Sequence, residues 1–177
     1  FAREAAVLTS LDHPGIPRYV DRVLEAGRPI AIVQQYVEGP TMHELIAHHG
    51  PIPPEDFDRA LRQCLDVLGY LASRVPPVVH RDLTPKNIIL SQDRAYVIDF
   101  GAVRVAKADS TTMTSVGTFG YMAPEQQLGR AEPASDMYSL GMSFAALAAR
   151  MDPSKFPIDR KTGEVDLEQA LSLPAPI

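Results

Sequence analysis

The chain has 177 residues, of which 17 are Lys or Arg and 22 are Asp or Glu, giving a net charge of -5 at pH 7. That balance, with no dense run of cations, excludes a broad basic face for nucleic acid or anionic lipid and leaves an ordinary solvated surface. Cys64 is the sole cysteine, so an intrachain disulfide is excluded, a reducing compartment is compatible, and a thiol on an apolar helical face serves packing.

A chain of this length fits one domain, or part of a larger one, and can bury about 70% of its unfolded surface. Ala5, Leu8 and Leu11 share one face at helical spacing and predict a helix over Phe1 to Leu11, stopped at His13-Pro14-Gly15, where His13 reads as a turn residue. The chain opens inside that helix with no signal-peptide pattern and reads as a fragment. Tyr19 to Ala26 and Ile30 to Val37, rich in Val, Ile and Tyr, predict two strands joined by a turn at Gly27-Arg28-Pro29. Thr41 with Glu44 is a capping-box signature for a helix that Gly50 closes, followed by a rigid link over Pro51 to Pro54.

From Glu55 to Arg74 the residues Phe57, Leu61, Cys64, Leu65, Leu68 and Leu71 form one stripe, predicting an amphipathic helix roughly 30 Å long. Ile88-Ile89-Leu90 and Tyr96-Val97-Ile98 flank the polar turn Ser91-Gln92-Asp93, a hairpin with Asn87 and Asp99 at its ends. Ser135 caps a helix running to about Arg150. The apolar stretch Met137 to Met151 is broken by Ser139, Gly141, Ser143 and Arg150 and falls short of the ~20 residues of a membrane span, so it reads as a buried helix. A loop at Lys161-Thr162-Gly163 and a short helix over Asp166 to Leu173 follow. His43, His48 and His49 have no matching cysteine or acidic cluster and read as helix-surface histidines rather than metal ligands.

Three motifs stand in order along the chain: His80-Arg81-Asp82-Leu83-Thr84-Pro85-Lys86-Asn87, then Asp99-Phe100-Gly101, then Ala123-Pro124-Glu125. At roughly 5% per residue type, four specified positions such as His80, Arg81, Asp82 and Asn87 recur by chance about once in 10⁵ start sites. The set resembles the protein-kinase signature, and Val97 to Val103 with Pro133-Ala134-Ser135-Asp136 resembles the eukaryotic-like serine/threonine kinases of bacteria. The resemblance implies an α+β, protein-kinase-like fold incomplete at both ends. In it, residues 1–37 are a remnant of the small lobe and hinge, with a helix and strands, and residues 38–177 are a partial, mostly helical large lobe.

It also implies transfer of the ATP γ-phosphate to Ser or Thr hydroxyls of protein substrates. Asp82 then accepts the hydroxyl proton, and Asn87 and Asp99, at facing ends of one hairpin, hold Mg²⁺, a cation satisfied by one or two side-chain oxygens plus phosphates. By the same resemblance Glu4 pairs the ATP-contacting lysine, which is absent here together with the glycine-rich loop. Backbone of the hinge, Gln34 to Glu38 and in particular Gln35 and Val37, meets adenine. Leu8, Tyr19, His80 and Phe100 form a packed column anchored by Asp136, Thr118 bridges to Asp82, and Glu125 pairs a later arginine. The polar loop with Ser110, Thr111, Thr112, Thr114 and Ser115 is expected to be ordered by autophosphorylation, chiefly at Thr114, through Arg81 and Arg104, in a homodimer.

One position departs from the pattern. Thr84 stands where such kinases carry a lysine on the γ-phosphate, and Lys86, four residues after Asp82, is expected to take that role. In isolation Asp82 also suits a turn or helix cap, Asp99-Phe100-Gly101 a tight turn, Lys86 a surface charge, and the Ser/Thr-rich loop needs no modification. Two other readings of the whole are a pseudokinase that binds partners without transfer, motivated by Thr84, and a small-molecule phosphotransferase, against which Gly117-Thr118 and Ala123-Pro124-Glu125 speak. A cytoplasmic location is expected, with any membrane anchor beyond this segment.

Overall fold

The computed structural model describes residues 2–48, 52–105 and 117–172, and for residues 2–4, 29, 48, 104 and 105 the backbone only. Helix α1 (Ala2–Thr9) turns Ala5, Val7 and Leu8 inward. The turn after it is tied to a distant helix. Gly15 N–H donates to His13 Nδ1 (3.1 Å), the other ring nitrogen lies 3.2 Å from Asp66 Oδ2, and Asp12 N–H donates to the Tyr70 hydroxyl (2.8 Å).

Strands β1 (Tyr19–Glu25) and β2 (Arg28–Gln34) pair antiparallel with Glu25 opposite Arg28, so the turn is Ala26-Gly27 rather than Gly27-Arg28-Pro29. Both turn residues are left-handed (φ 48° and 76°), the geometry whose twist matches the flanking strands. Arg28 and Pro29 therefore join the ladder. Before α2 (Met42–His48) the capping box is made: Thr41 N–H donates to Glu44 Oε2 (2.7 Å) and Glu44 N–H to Thr41 Oγ1 (3.2 Å). The expected stop at Gly50, with His49 and Pro51, lies outside the described residues.

Helix α3 (Pro54–Ser73) has 20 residues and buries Ala60, Cys64, Val67, Leu68 and Leu71, spaced by three and four along one face. Leu65, expected in that stripe, is 36% exposed; Ala60 and Val67 complete the buried face instead. Burial pushes the Cys64 thiol up to about 12, in keeping with a packing role. Leu8, Leu83, Ile88, Val97, Phe100, Leu140 and Phe144 share the main core with this face.

Helix α5 (Pro133–Ala149) buries most of its surface and leaves one exposed stripe at Ala134, Met137, Tyr138, Gly141 and Ala148. Leu140, Phe144 and Leu147 enter the main core, while Met142, Ala146 and Ala149 join Phe156 and Ala170 in a second one. Its N-cap is Glu132, not Ser135. Ser135 sits three residues in, where Glu132 N–H donates to its Oγ (3.2 Å) while the Glu132 side chain accepts from the Ser135 backbone. Among the described residues no helix is long and apolar enough to cross a membrane.

Four short elements surround the motifs. Strands β4 (Ile88–Leu90) and β5 (Ala95–Val97) pair antiparallel as expected, with Ile88 opposite Val97. Strands β3 (Val78–Val79) and β6 (Arg104–Val105), which no sequence signal announced, form a second small ribbon. A single-turn helix, α4 (Pro124–Gln127), and α6 (Leu167–Ser172), inside the expected Asp166 to Leu173, complete the fold.

Candidate active site

Two buried backbone N–H groups open the site. His80 N–H donates to Asp136 Oδ2 (2.7 Å) and Arg81 N–H to Asp136 Oδ1 (2.9 Å), so the carboxylate near the start of α5 clamps the loop between β3 and β4. Burial pushes the Asp136 carboxyl up, and His80, the two backbone donors and Arg81 oppose that shift. The His80 ring nitrogen Nε2 lies 3.0 Å from the carbonyl of Ile98. A carbonyl only accepts, so Nε2 carries the proton and Nδ1 is left to accept the Asp82 N–H at 3.4 Å. The imidazole stands edge-on to Phe100 with ring centroids 4.8 Å apart. Leu8 and Phe100 lie in the main core with Tyr19 packed against it.

Arg81 is left-handed at φ 73°, an uncommon conformation for a residue with a Cβ, and only 6% exposed. It persists because the surroundings over-determine it. Its N–H is held by Asp136, and its carbonyl accepts from Gln126 Nε2 at 2.5 Å.

Next in the chain, Asp82 is half-buried and its two carboxylate oxygens are separately held. Thr118 Oγ1 donates to Oδ1 (2.8 Å) and Asn87 Nδ2 approaches Oδ2 (3.3 Å), while Nδ2 also donates to the Asp82 carbonyl (2.8 Å). Asn87 closes the 3-10 turn Pro85–Asn87 and is 8% exposed. With its amide nitrogen committed to Asp82, the amide oxygen is the atom it can offer a ligand. The hairpin then sets the opposite wall: Ile98 N–H donates to the Asn87 carbonyl (2.9 Å), one residue before Asp99. Asp99 is exposed and left-handed at φ 61°, with Oδ1 accepting from Gly101 N–H (3.1 Å). The sequence expectation of facing ends is met, since Asn87 and Asp99 flank the same ladder.

An amide oxygen and a carboxylate make an all-oxygen donor pair. Among the described residues no three His, Cys, Asp or Glu side chains gather as a self-sufficient metal cage. That chemistry fits a hard divalent cation completed by phosphate and water oxygens, as Mg²⁺ is beside a nucleotide. Lys86 is exposed on the same 3-10 turn, whereas Thr84 is buried at 4% and brings no charge.

Other predicted residues lie elsewhere. Gln35 and Val37 follow β2, and Gln35 is tied to Arg18, donating its N–H to the Arg18 carbonyl (2.8 Å) and accepting the Arg18 N–H at Oε1 (3.4 Å). Gln35 can still offer its carbonyl. Glu4 is on α1 and Arg104 on β6, their side chains outside the described residues, as are Ser110, Thr111, Thr112, Thr114 and Ser115 altogether. Glu125, expected to meet an arginine, accepts from Ser135 Oγ at 2.5 Å. Two further bonds hold the loop around Asp82: Ser143 Oγ donates to the Leu83 carbonyl (2.9 Å), and Gln126 to that of Arg81. Neither residue type nor spacing signals either.

With this geometry in view, the comparisons agree with it. A family model described as "Protein kinase domain" matches residues 1–175. The chain is similar to "Serine/threonine-protein kinase B" of Synechocystis sp., at 32% identity over 98% of this chain and 32% of that protein. It is also similar to "Serine/threonine-protein kinase PkaA" of Streptomyces coelicolor, at 36% over 86% of this chain and 29% of that protein. "Serine/threonine-protein kinase PknL" of Mycobacterium tuberculosis is 37% identical over 80% of this chain and 36% of its own length. The chain thus spans about a third of the curated relatives it matches. Matched along nearly its whole length and carrying the Asp82, Asn87 and Asp99 arrangement, the chain belongs to the protein kinase domain family.

Proposed function

We propose that the complete protein transfers the γ-phosphoryl group of ATP to Ser and Thr hydroxyls of other proteins. The observation that carries this reading is the convergence on Asp82: Thr118 holds one carboxylate oxygen and Asn87 approaches the other. A carboxylate so fixed can accept the proton of a substrate hydroxyl and aim its oxygen. Asn87 through its amide oxygen and Asp99 through its carboxylate would hold Mg²⁺, which when bound neutralises charge on the phosphate oxygens. Lys86, exposed beside them, supplies the cation that Thr84 lacks. Buried backbone bonds keep these groups in place before substrate arrives, the condition under which electrostatic stabilisation is most effective.

Residues 1–37 are assigned to the small lobe and hinge, where Glu4, Gln35 and Val37 serve the nucleotide, and residues 38–177 to the large lobe. Support comes from the exposed β1–β2 ribbon within the first segment and from the mostly helical make-up of the second. Phosphorylation at Thr114, with Thr111 or Thr112, in a homodimer would order that loop against Arg81 and Arg104. Incubating the full-length protein with labelled ATP, Mg²⁺ and a mixed protein substrate tests the reading. Phosphoserine and phosphothreonine are expected in the substrate and at Thr114; phosphotyrosine, or no label, contradicts it.

A further inference from the structure

The bond from Gln126 to the Arg81 carbonyl sits where three segments meet. Gln126 is fully buried on α4, and its Nε2 reaches the carbonyl immediately before Asp82. From the other side comes Gly117, at φ 141°, a region nearly reserved for glycine. A Cβ there would stand 2.7 Å from Gln126 Nε2 and 3.0 Å from the Arg81 carbonyl oxygen. So the backbone of Gly117 lies flush on this hydrogen bond, and the next residue, Thr118, reaches Asp82 Oδ1. Asp136 fixes the other side of the same residue, in the preceding peptide, through the Arg81 N–H.

We infer that Gln126 is a positioning residue that locks the Gly117-Thr118 segment to the Asp82 loop, so that the hydroxyl-orienting Thr118 and Asp82 move as one unit. Asp136 holds the amide side of Arg81; on the carbonyl side, which sets the direction into Asp82, Gln126 holds the oxygen and His80 Nδ1 accepts the Asp82 N–H. Without the amide donor a left-handed Arg81 loses the bond to its carbonyl, and Asp82 and Thr118 separate. Misplacement by about 1 Å costs on the order of 10²-fold in rate, while nucleotide contacts elsewhere are untouched. This inference rests on the proposed phosphotransfer, but the mechanical coupling it asserts does not.

Gln126→Met keeps the length and removes the donor; Gly117→Ala attacks the same junction from the opposite side. In the full-length protein both are expected to lower kcat for the protein substrate by about 10- to 100-fold. KM for ATP should stay within about twofold, and the double variant should fall no further than the worse single one. Amide exchange by mass spectrometry should rise together in segments 80–83 and 117–122 in either variant. Wild-type protein that transfers no phosphate, yet shows this paired rise in the variants, defeats the functional reading and upholds the coupling. Unchanged kcat and exchange in Gln126→Met overturn the coupling. So does a loss spread equally over kcat, ATP KM and thermal midpoint, because that marks general damage.

Discussion

The loop and hairpin over 80–101 and the ribbon over 19–34 are both short pieces of chain turned back on themselves, yet they are held in opposite ways. In the first, His80, Leu83, Ile88, Val97 and Phe100 are fully buried, and Asp136, Gln126 and Ser143 bond its backbone from other elements. In the second, Val20, Val23, Leu24, Ile30 and Val33 are at least 40% exposed, and among the described residues β1 pairs with β2 alone. A two-stranded ribbon of that kind is marginal by itself. The groups placed in catalysis therefore sit on the part of the molecule whose geometry is over-determined. The part assigned to the nucleotide hinge follows this exposed ribbon.

The contrast can be broken from the rigid side first. Asp136→Ala strands two buried backbone donors, and in the complete protein it is expected to cost about 3 kcal/mol or more of unfolding free energy, read by urea denaturation. A loss under about 1 kcal/mol would mean that the clamp is redundant. Lys86→Ala should reduce kcat by about 10²- to 10³-fold in steady-state assays, with Thr84→Ala near wild type; a silent Lys86 change removes its assigned role. Leu71→Ala, deleting a side chain that is 1% exposed in the main core, should lower stability by about 2–4 kcal/mol in the same urea titration. Val33→Thr on the exposed face of β2 should change the unfolding free energy by less than about 0.5 kcal/mol. A larger loss there would show that the ribbon is covered in the complete protein, and would sharpen the comparison into a statement about which surface is hidden.

The same division separates what could be read in the chain from what could not. Asn87 and Asp99 at facing hairpin ends, the Thr41 capping box and the buried face of α3 rest on local spacing, and spacing is visible in a sequence. The turn at Ala26-Gly27 was misplaced because an alanine adopts a left-handed conformation there, against its preference. Ser135 looks like an N-cap, but the cap falls on Glu132, because a capping box places its two members three residues apart and either end can carry the serine. The β3–β6 pair, two residues on each strand and separated by the whole catalytic segment, has no local signature at all. Gln126 belongs to the same class: its role comes from the Arg81 carbonyl, 45 residues earlier in the chain.

The central claim is that Asp82, held by Thr118 and Asn87, directs the attacking hydroxyl. Single-turnover phosphoryl transfer by full-length Asp82→Asn, with nucleotide binding measured in parallel by titration calorimetry, tests it most directly. The account predicts transfer slower by about 10²- to 10⁴-fold with ATP affinity within a few-fold of wild type. Transfer at the wild-type rate would contradict it.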